Sequence, residues 1–192
     1  MPEEGTRAHD VLLAVVDHLR EVGRVDLSLR ELAAAAGTSH RMLAYYFGTR
    51  ERLLGLVMLR LSDEYRAHFA GRRPTTRVET LEAAWSRFRD PNNRLQTQLL
   101  FVLASAAAED PDVDIPALNH DLDLFAGALT HFGVAEALAP EVAAREARLI
   151  VSTLLGLYLD DFISRGSERV DDSFAALVDW VGRSSAAASS GA

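Results

Sequence analysis

Apolar residues recur along the chain at spacings of three and four, and nowhere alternate over the length of a strand. The pattern therefore predicts helices throughout. In residues 7–23, Val11, Leu12, Val15, Val16, Leu19 and Val22 form one stripe, and Gly23 ends it. Leu29, Leu32, Ala33 and Ala36 form the inner side of a short helix that opens at Ser28 and breaks at Gly37. A second short helix over 39–47 turns Leu43 and Phe47 inward, and Arg41, Ala44 and Tyr45 outward. A long helix over 50–70 carries Leu53, Leu54, Val57, Leu61 and Tyr65. Beyond the joint GRRPTT (71–76), helices are predicted over 76–88, 94–108 and 117–132, from about Pro140 to 164, and from Asp171 or Asp172 onward. DPNN (90–93), the acidic loop 109–116 and Gly133 separate them. The 94–108 segment is apolar almost all round and is expected to be buried. The sum is an all-α chain of about nine helices, with three short ones at the N-terminus followed by a larger helical body.

The stretch 28–54, SLRELAAAAGTSHRMLAYYFGTRERLL, organises the rest. Ser28 and Glu31 have the spacing of a capping box, in which hydroxyl and carboxylate each satisfy a backbone N–H at the helix start. The run of alanines lets another helix approach closely, and Gly37 supplies the turn. Thr38 or Ser39 then caps the next helix. Two short helices joined this way have the shape of a helix-turn-helix that enters the DNA major groove. An exposed face bearing Arg41 and Tyr45 beside His40 suits bases and phosphates; the plainer alternative is a solvated helix with a snorkelling arginine. Thr49 caps the fourth helix and places Arg50 in its first turn. A cation there opposes the helix dipole unless a phosphate shares the site.

Charge sharpens this division. The net charge is −8. Residues 1–60 hold 8 Arg against 8 acids, whereas 61–192 hold 12 Arg against 20 acids. Within 24–52 there are 5 Arg and 3 acids. A small, mildly basic head on an acidic body fits one anion-binding face and argues against a protein that coats nucleic acid non-specifically. Every basic residue is arginine. The absence of cysteine excludes a disulfide framework, a thiol nucleophile and cysteine-ligated metal. The N-terminus lacks the features of a signal peptide, and no apolar run reaches the ~18 residues of a membrane span, so a cytoplasmic protein without membrane contact is expected.

The first helix ending at Gly23, then LRELAAAAGTS, then LAYYFGTRERLL together resemble the TetR family of bacterial transcriptional repressors. Gly37, Ser39, Leu43, Phe47 and Glu51 match the family's pattern. Ala44 stands where the family usually has tyrosine, Tyr46 where it has histidine, Arg50 where it has lysine, and Arg41 where glycine is frequent. The resemblance covers about 45 residues; beyond Leu54 it rests on length and helical character. It implies a helix-turn-helix DNA-binding domain at 1–50 and a helical regulatory and dimerisation domain at 51–184; the small, polar composition of 185–192 predicts a disordered tail. It implies that Ser39, His40 and Arg41 enter the major groove, with Arg41 reading a guanine edge, and that Tyr45, Tyr46, Arg50 and Ser28 hold phosphates. Ala44 removes a usual contact, so the base code does not transfer.

In such a family the body binds a small effector and pairs two chains. For the effector, Trp85, Phe88, Phe101, Phe125 and Tyr158 supply rings, and Asn119, His120 and His131 sparse polar groups, the composition of an apolar ligand site. Aromatics at this spacing are equally those of a packed core. For pairing, 147–163 is too apolar for a solvated surface, Gly156 permits close approach, and 170–181 can lie beside it. The implied protein is a homodimeric repressor on a palindromic operator, released by a small, largely apolar effector and needing no cofactor. The alternative is a helix-turn-helix activator or co-regulator governed by a protein partner.

An enzyme is not expected. Asp160–Asp161 and Asp171–Asp172 diverge on their helices, and no HExxH, GxSxG or phosphate-binding glycine loop is present. Asp110, Asp112 and Asp114 imitate part of a calcium loop, but its glycine and its distant glutamate are not in place, Asp121 standing at the latter. His120 with Asp121 and Asp123 makes only a weak metal candidate.

Overall fold

The computed structural model describes residues 1–68, 74–110 and 116–190. Among these are nine α-helices and no strand: α1 (Arg7–Val22), α2 (Leu29–Ala35), α3 (His40–Phe47), α4 (Arg50–His68), α5 (Arg77–Arg89), α6 (Arg94–Glu109), α7 (Pro116–Ala135), α8 (Pro140–Ser164) and α9 (Glu168–Ser190). A 3-10 turn, Pro91–Asn93, leads into α6. The expected all-α architecture, with its short helices first, is the one observed.

The chain divides into two compact units, each built from two separate stretches. One comprises Met1–Gly71 with Pro91–Asp121; the other comprises Arg72–Asp90 with Leu122–Ala192. A boundary after residue 50 does not coincide with this division. The inward stripe of α4 (Leu53, Leu54, Val57, Met58) and Leu95, Leu99 and Leu103 of α6 join one core with α1, α2 and α3. Helix α6 is also less buried than its composition suggests: Leu95, Leu99 and Leu103 face the core, while Ala104, Ser105 and Ala108 lie outside it. Its alanines make the segment look uniformly apolar, but Ala104 and Ala108 are exposed.

In the second unit, Leu81 and Trp85 of α5, Leu129 of α7, Ile150, Val151 and Leu154 of α8, and Val170, Leu177 and Val181 of α9 form the core. Gly133 does not end α7, which runs on to Ala135. Gly133 serves close approach instead: a Cβ there would lie 3.0 Å from Ala143 Cβ and 3.4 Å from Arg77 Cδ. The stop falls at Ala137, with φ 71°. The Ala137 N–H donates to Val134 O and the Leu138 N–H to Gly133 O, the two bonds of a Schellman turn. Alanine pays a steric cost in that left-handed position. Ala137→Gly is therefore expected to stabilise the fold by about 0.5–1 kcal/mol, raising Tm by about 1–4 °C in calorimetry.

Helix α9 starts earlier and ends later than its sequence pattern suggests. Ser167 O already accepts the N–H groups of Val170 and Asp171. The helix continues to Ser190, so 185–190 is no disordered tail among the described residues. Ser185 is held by Arg77 and Glu136. Residues 71–73 of the joint and 111–115 of the acidic loop lie outside the described residues, as do the side chains of Asn119, His120 and Asp121.

Candidate nucleic-acid interface

The helix-turn-helix is built by local bonds. Ser28 Oγ accepts the Glu31 N–H at 3.2 Å, and the Ser28 N–H donates to Glu31 Oε2 at 2.7 Å. Together they complete the capping box. Hydrogen bonding to the carboxylate from the Ser28 hydroxyl, and next from the Ser28 N–H, holds the Glu31 carboxyl below its ordinary pKa. At the other end of α2, Gly37 takes φ 61°. The Gly37 and Thr38 N–H groups donate to Ala34 O and Ala33 O, so α2 ends in a Schellman turn. Ser39 then caps α3, its Oγ accepting the Met42 N–H at 3.2 Å, as a serine at a helix start is suited to do. Gly48, with φ 74° and ψ −103°, carries the chain out of α3. Thr49 Oγ1 accepts the Arg52 N–H at 3.1 Å as α4 begins.

Leu43 and Phe47 anchor α3, exposed by 0% and 2%. The opposite face presents Arg41, Met42 and Tyr45, with His40 exposed at the helix start. Tyr45 is 79% exposed, and Met42 is 38% exposed. Met42 is the outward residue that sequence reasoning missed, and Ala44, expected outward, is half-buried. An apolar methionine on a wheel resembles core, but at this point of α3 no element covers it. Tyr46 is half-buried, its ring edge-on to Tyr45 at 5.6 Å and to Phe47 at 6.0 Å. Ser39 keeps a hydroxyl proton to donate after capping. Ser28 instead shares its hydroxyl with the Glu31 carboxylate, whose charge at that helix start opposes an arriving phosphate.

Arg50, expected at a phosphate, is bonded to the protein's own backbone. Its Nε donates to Leu27 O at 2.6 Å and one terminal nitrogen to Val25 O at 2.7 Å, with Glu51 Oε1 3.4 Å from the other. The guanidinium closes the connector between α1 and α2 over the start of α4. Its carbonyl partners lower the cost of a cation at this positive helix end. The next arginine, Arg52, is exposed and forms no ion pair among the described residues.

The aromatic residues of the body divide between the two units. Phe101 belongs to α6, in the first. In the second, Trp85 faces Phe174 at 4.5 Å with an interplanar angle of 9°. Phe88 faces Tyr158 at 3.9 Å and 6°. Trp85 lies 5.6 Å from Tyr158 and 5.8 Å from Phe88. The Tyr158 hydroxyl donates to Ala84 O at 2.8 Å. Phe125 is half-buried against the same core, while His131 is exposed with its ring edge on Phe132. Phe174 was legible only as an inward position of the last helix; its place in the stack depends on how α5, α8 and α9 pack.

No family model matches the sequence, and no curated protein matches it. Two solved structures match the fold. One, described as a TetR-family transcriptional regulator from Rhodococcus sp., superposes with a TM-score of 0.63 over 91% of this chain and 98% of its own, at 17% identity. GusR of Salmonella enterica gives 0.61 over 94% of this chain and 100% of its own, at 18% identity. The chain thus has the fold of a TetR-family regulator along nearly its whole length.

Proposed function

We propose that the chain is a DNA-binding transcriptional regulator: a repressor that binds a palindromic operator as a homodimer and is released by a small effector. The observation that carries this reading is the exposed face of α3. Arg41, Met42 and Tyr45 project from a helix whose opposite side is locked by Leu43 and Phe47, with His40 and Ser39 at its leading end. A cation, a phenol and a thioether on one solvent-facing helix cost solubility and meet the needs of a groove: hydrogen bonds to base edges and phosphates, and apolar contact with a thymine methyl. Ser39, His40 and Arg41 read bases; Tyr45 and Tyr46 position the backbone. Arg50 acts by fixing the connector, and exposed Arg52 supplies a cation in its place. Selection from random duplexes should enrich an inverted repeat with half-sites one helical turn apart or slightly more. Failure to enrich any sequence overturns the reading.

For the homodimer, α8 supplies the surface. Leu149, Ser152, Gly156, Leu159 and Ile163 follow one another at alternating spacings of three and four, the seam of a helix pair. Leu149, Leu159 and Ile163 are 53%, 46% and 70% exposed in the single chain. A Cβ at Gly156 would meet nothing within 4 Å, leaving room for a partner helix. With α9 beside it, two copies form a four-helix bundle. Ile163→Glu is expected to shift the protein in light scattering from twice its 21.0 kDa mass to that mass, with loss of operator affinity. A dimer of unchanged stability places the interface elsewhere.

The effector is assigned to the aromatic cluster of α5, α8 and α9. It need only bind the released state better, and a difference of a few kcal/mol shifts the population. One observation favours a second reading, control by a protein partner: the rings already stack on one another and Tyr158 already has its acceptor.

A further inference from the structure

We propose that the aromatic cluster of α5, α8 and α9 is a site for a planar aromatic cation, and that Arg89 is the resident stand-in for that ligand's charge. The inference rests on the effector reading above and names the chemical class. Arg89, the last residue of α5, places its guanidinium carbon 4.8 Å above the Trp85 ring. Its terminal nitrogens lie 2.5 Å from Asp161 Oδ1 and 2.5 Å from Asp171 Oδ1. A flat, delocalised cation is thus already sandwiched between an indole face and two carboxylates, the chemistry that recognises such a ligand.

Four further features separate this arrangement from an ordinary surface ion pair. The Asp161 side chain is only 13% exposed, so its carboxylate needs a cation whether or not Arg89 supplies it. Arg89 itself is 32% exposed at a helix end, so its guanidinium has a path to water when a ligand cation takes its place. The neighbouring Asp160 is paired with Arg169 at 2.9 Å, so in the ion pairs among the described residues of this edge three carboxylates meet two guanidiniums. The rings beneath are near-parallel, Phe88 on Tyr158 at 3.9 Å and Trp85 on Phe174 at 4.5 Å. The 3.9 Å separation of Phe88 and Tyr158 leaves little offset between the rings, the less favoured geometry for electron-rich faces. An electron-poor ring inserted between such faces, opened to about 7 Å by two van der Waals contacts, removes that repulsion. A neutral ring that displaced Arg89 would leave Asp161 without its cation, and an anion would meet the excess carboxylate. A compact ammonium lacks the plane of the group it would replace.

The test uses three molecules with one ring system: N-methylacridinium, neutral acridine at pH 8, and acridine-9-carboxylate. They are titrated into full-length Trp180→Phe protein, so that Trp85 alone reports by fluorescence. The cation is expected to quench Trp85 with a Kd about tenfold below that of neutral acridine, and the carboxylate to leave it unchanged. Asp161→Asn should bring the cation to the level of the neutral ring, Asp171→Asn should weaken it less, and Arg89→Gln should tighten it. Unchanged Tm and circular dichroism show that each variant is folded. If acridine binds as tightly as the cation, or if Asp161→Asn leaves the preference intact, the charge assignment is wrong, while quenching by the neutral ring keeps the pocket. If none of the three quenches Trp85, the site and the effector reading fall together, and the DNA-binding reading is judged separately by operator selection.

Discussion

Replacing Arg77 with alanine is expected to cost about 3–5 kcal/mol of folding stability, the largest loss expected from any single substitution in this chain. The Arg77 side chain is 1% exposed and ties α5 to three other helices. Its Nε donates to Glu136 Oε2 at 2.7 Å, at the end of α7. One terminal nitrogen donates to Glu146 Oε2 in α8 at 2.6 Å and the other to Ser185 Oγ in α9 at 2.7 Å. Its backbone N–H donates to Glu136 Oε1 at 3.0 Å, and Ser184 Oγ donates to Glu146 at 2.9 Å. Removing the guanidinium leaves two largely buried carboxylates facing each other without a cation. Urea unfolding should show a fall in the midpoint of that size. Adding Glu136→Gln and Glu146→Gln to Arg77→Met should recover much of it, because the penalty lies in the stranded charges. Equal loss in the triple variant would place the cost in packing.

The same cluster has a pH signature. Partial burial pushes the Glu136 carboxyl up. The Ser185 hydroxyl, the Arg77 N–H and the Arg77 guanidinium outweigh that and hold it below its ordinary value. The folded pKa thus lies below the unfolded one. Its contribution is fully present above the ordinary carboxylate range and is lost as the pH falls through the folded value. Wild type should lose stability on acidification more steeply than Glu136→Gln.

Arg41→Ala should weaken operator binding by roughly 5–150-fold per half-site, the range for one bidentate guanine contact. The two heads of a dimer repeat the loss. The form of the loss distinguishes a base contact from a phosphate contact. A base-reading arginine relaxes the preference at one position of each half-site, whereas a phosphate contact weakens all sequences alike and reduces the salt slope by about 1 per head. Selection with wild-type and variant protein, followed by gel shifts at two salt concentrations, separates these outcomes. Wild-type affinity in the variant removes Arg41 from the interface. Tyr45→Phe should weaken every sequence by a similar factor, since it removes only a hydroxyl from a position that contacts the backbone.

Much of the head was legible because its signals are local. The Ser28–Glu31 capping box, the Ser39 and Thr49 caps and the turns at Gly23, Gly37 and Gly48 all form bonds within a few residues. The anchors Leu43 and Phe47 followed from periodicity. Arg50 was less legible. Its place in the first turn of α4 was visible, but its acceptors, Leu27 and Val25, lie 23 and 25 residues away, and a dipole argument alone pointed to an external anion. Gly133 misled for a similar reason: glycine signals both a helix stop and a close helix crossing, and only the position of Ala143 decides between them. Met42 is apolar in any count, but its exposure depends on what fails to cover it.

Neighbouring residues therefore determined the all-α class, most helix limits and the helix-turn-helix with its inward anchors. Capping groups, left-handed glycines and apolar spacing act over one or two helical turns and do not depend on the rest of the chain. Tertiary structure alone decided which charges are paired. Arg77 meets partners 59, 69 and 108 residues away, and Arg89 meets Asp161 from 72 residues away. It also decided that α4 and α6 share a core with the head, and that four aromatics on α5, α8 and α9 stack. Burial and pairing over such separations depend on how the helices cross, and helical spacing specifies which face of a helix is apolar but not which helix will cover it.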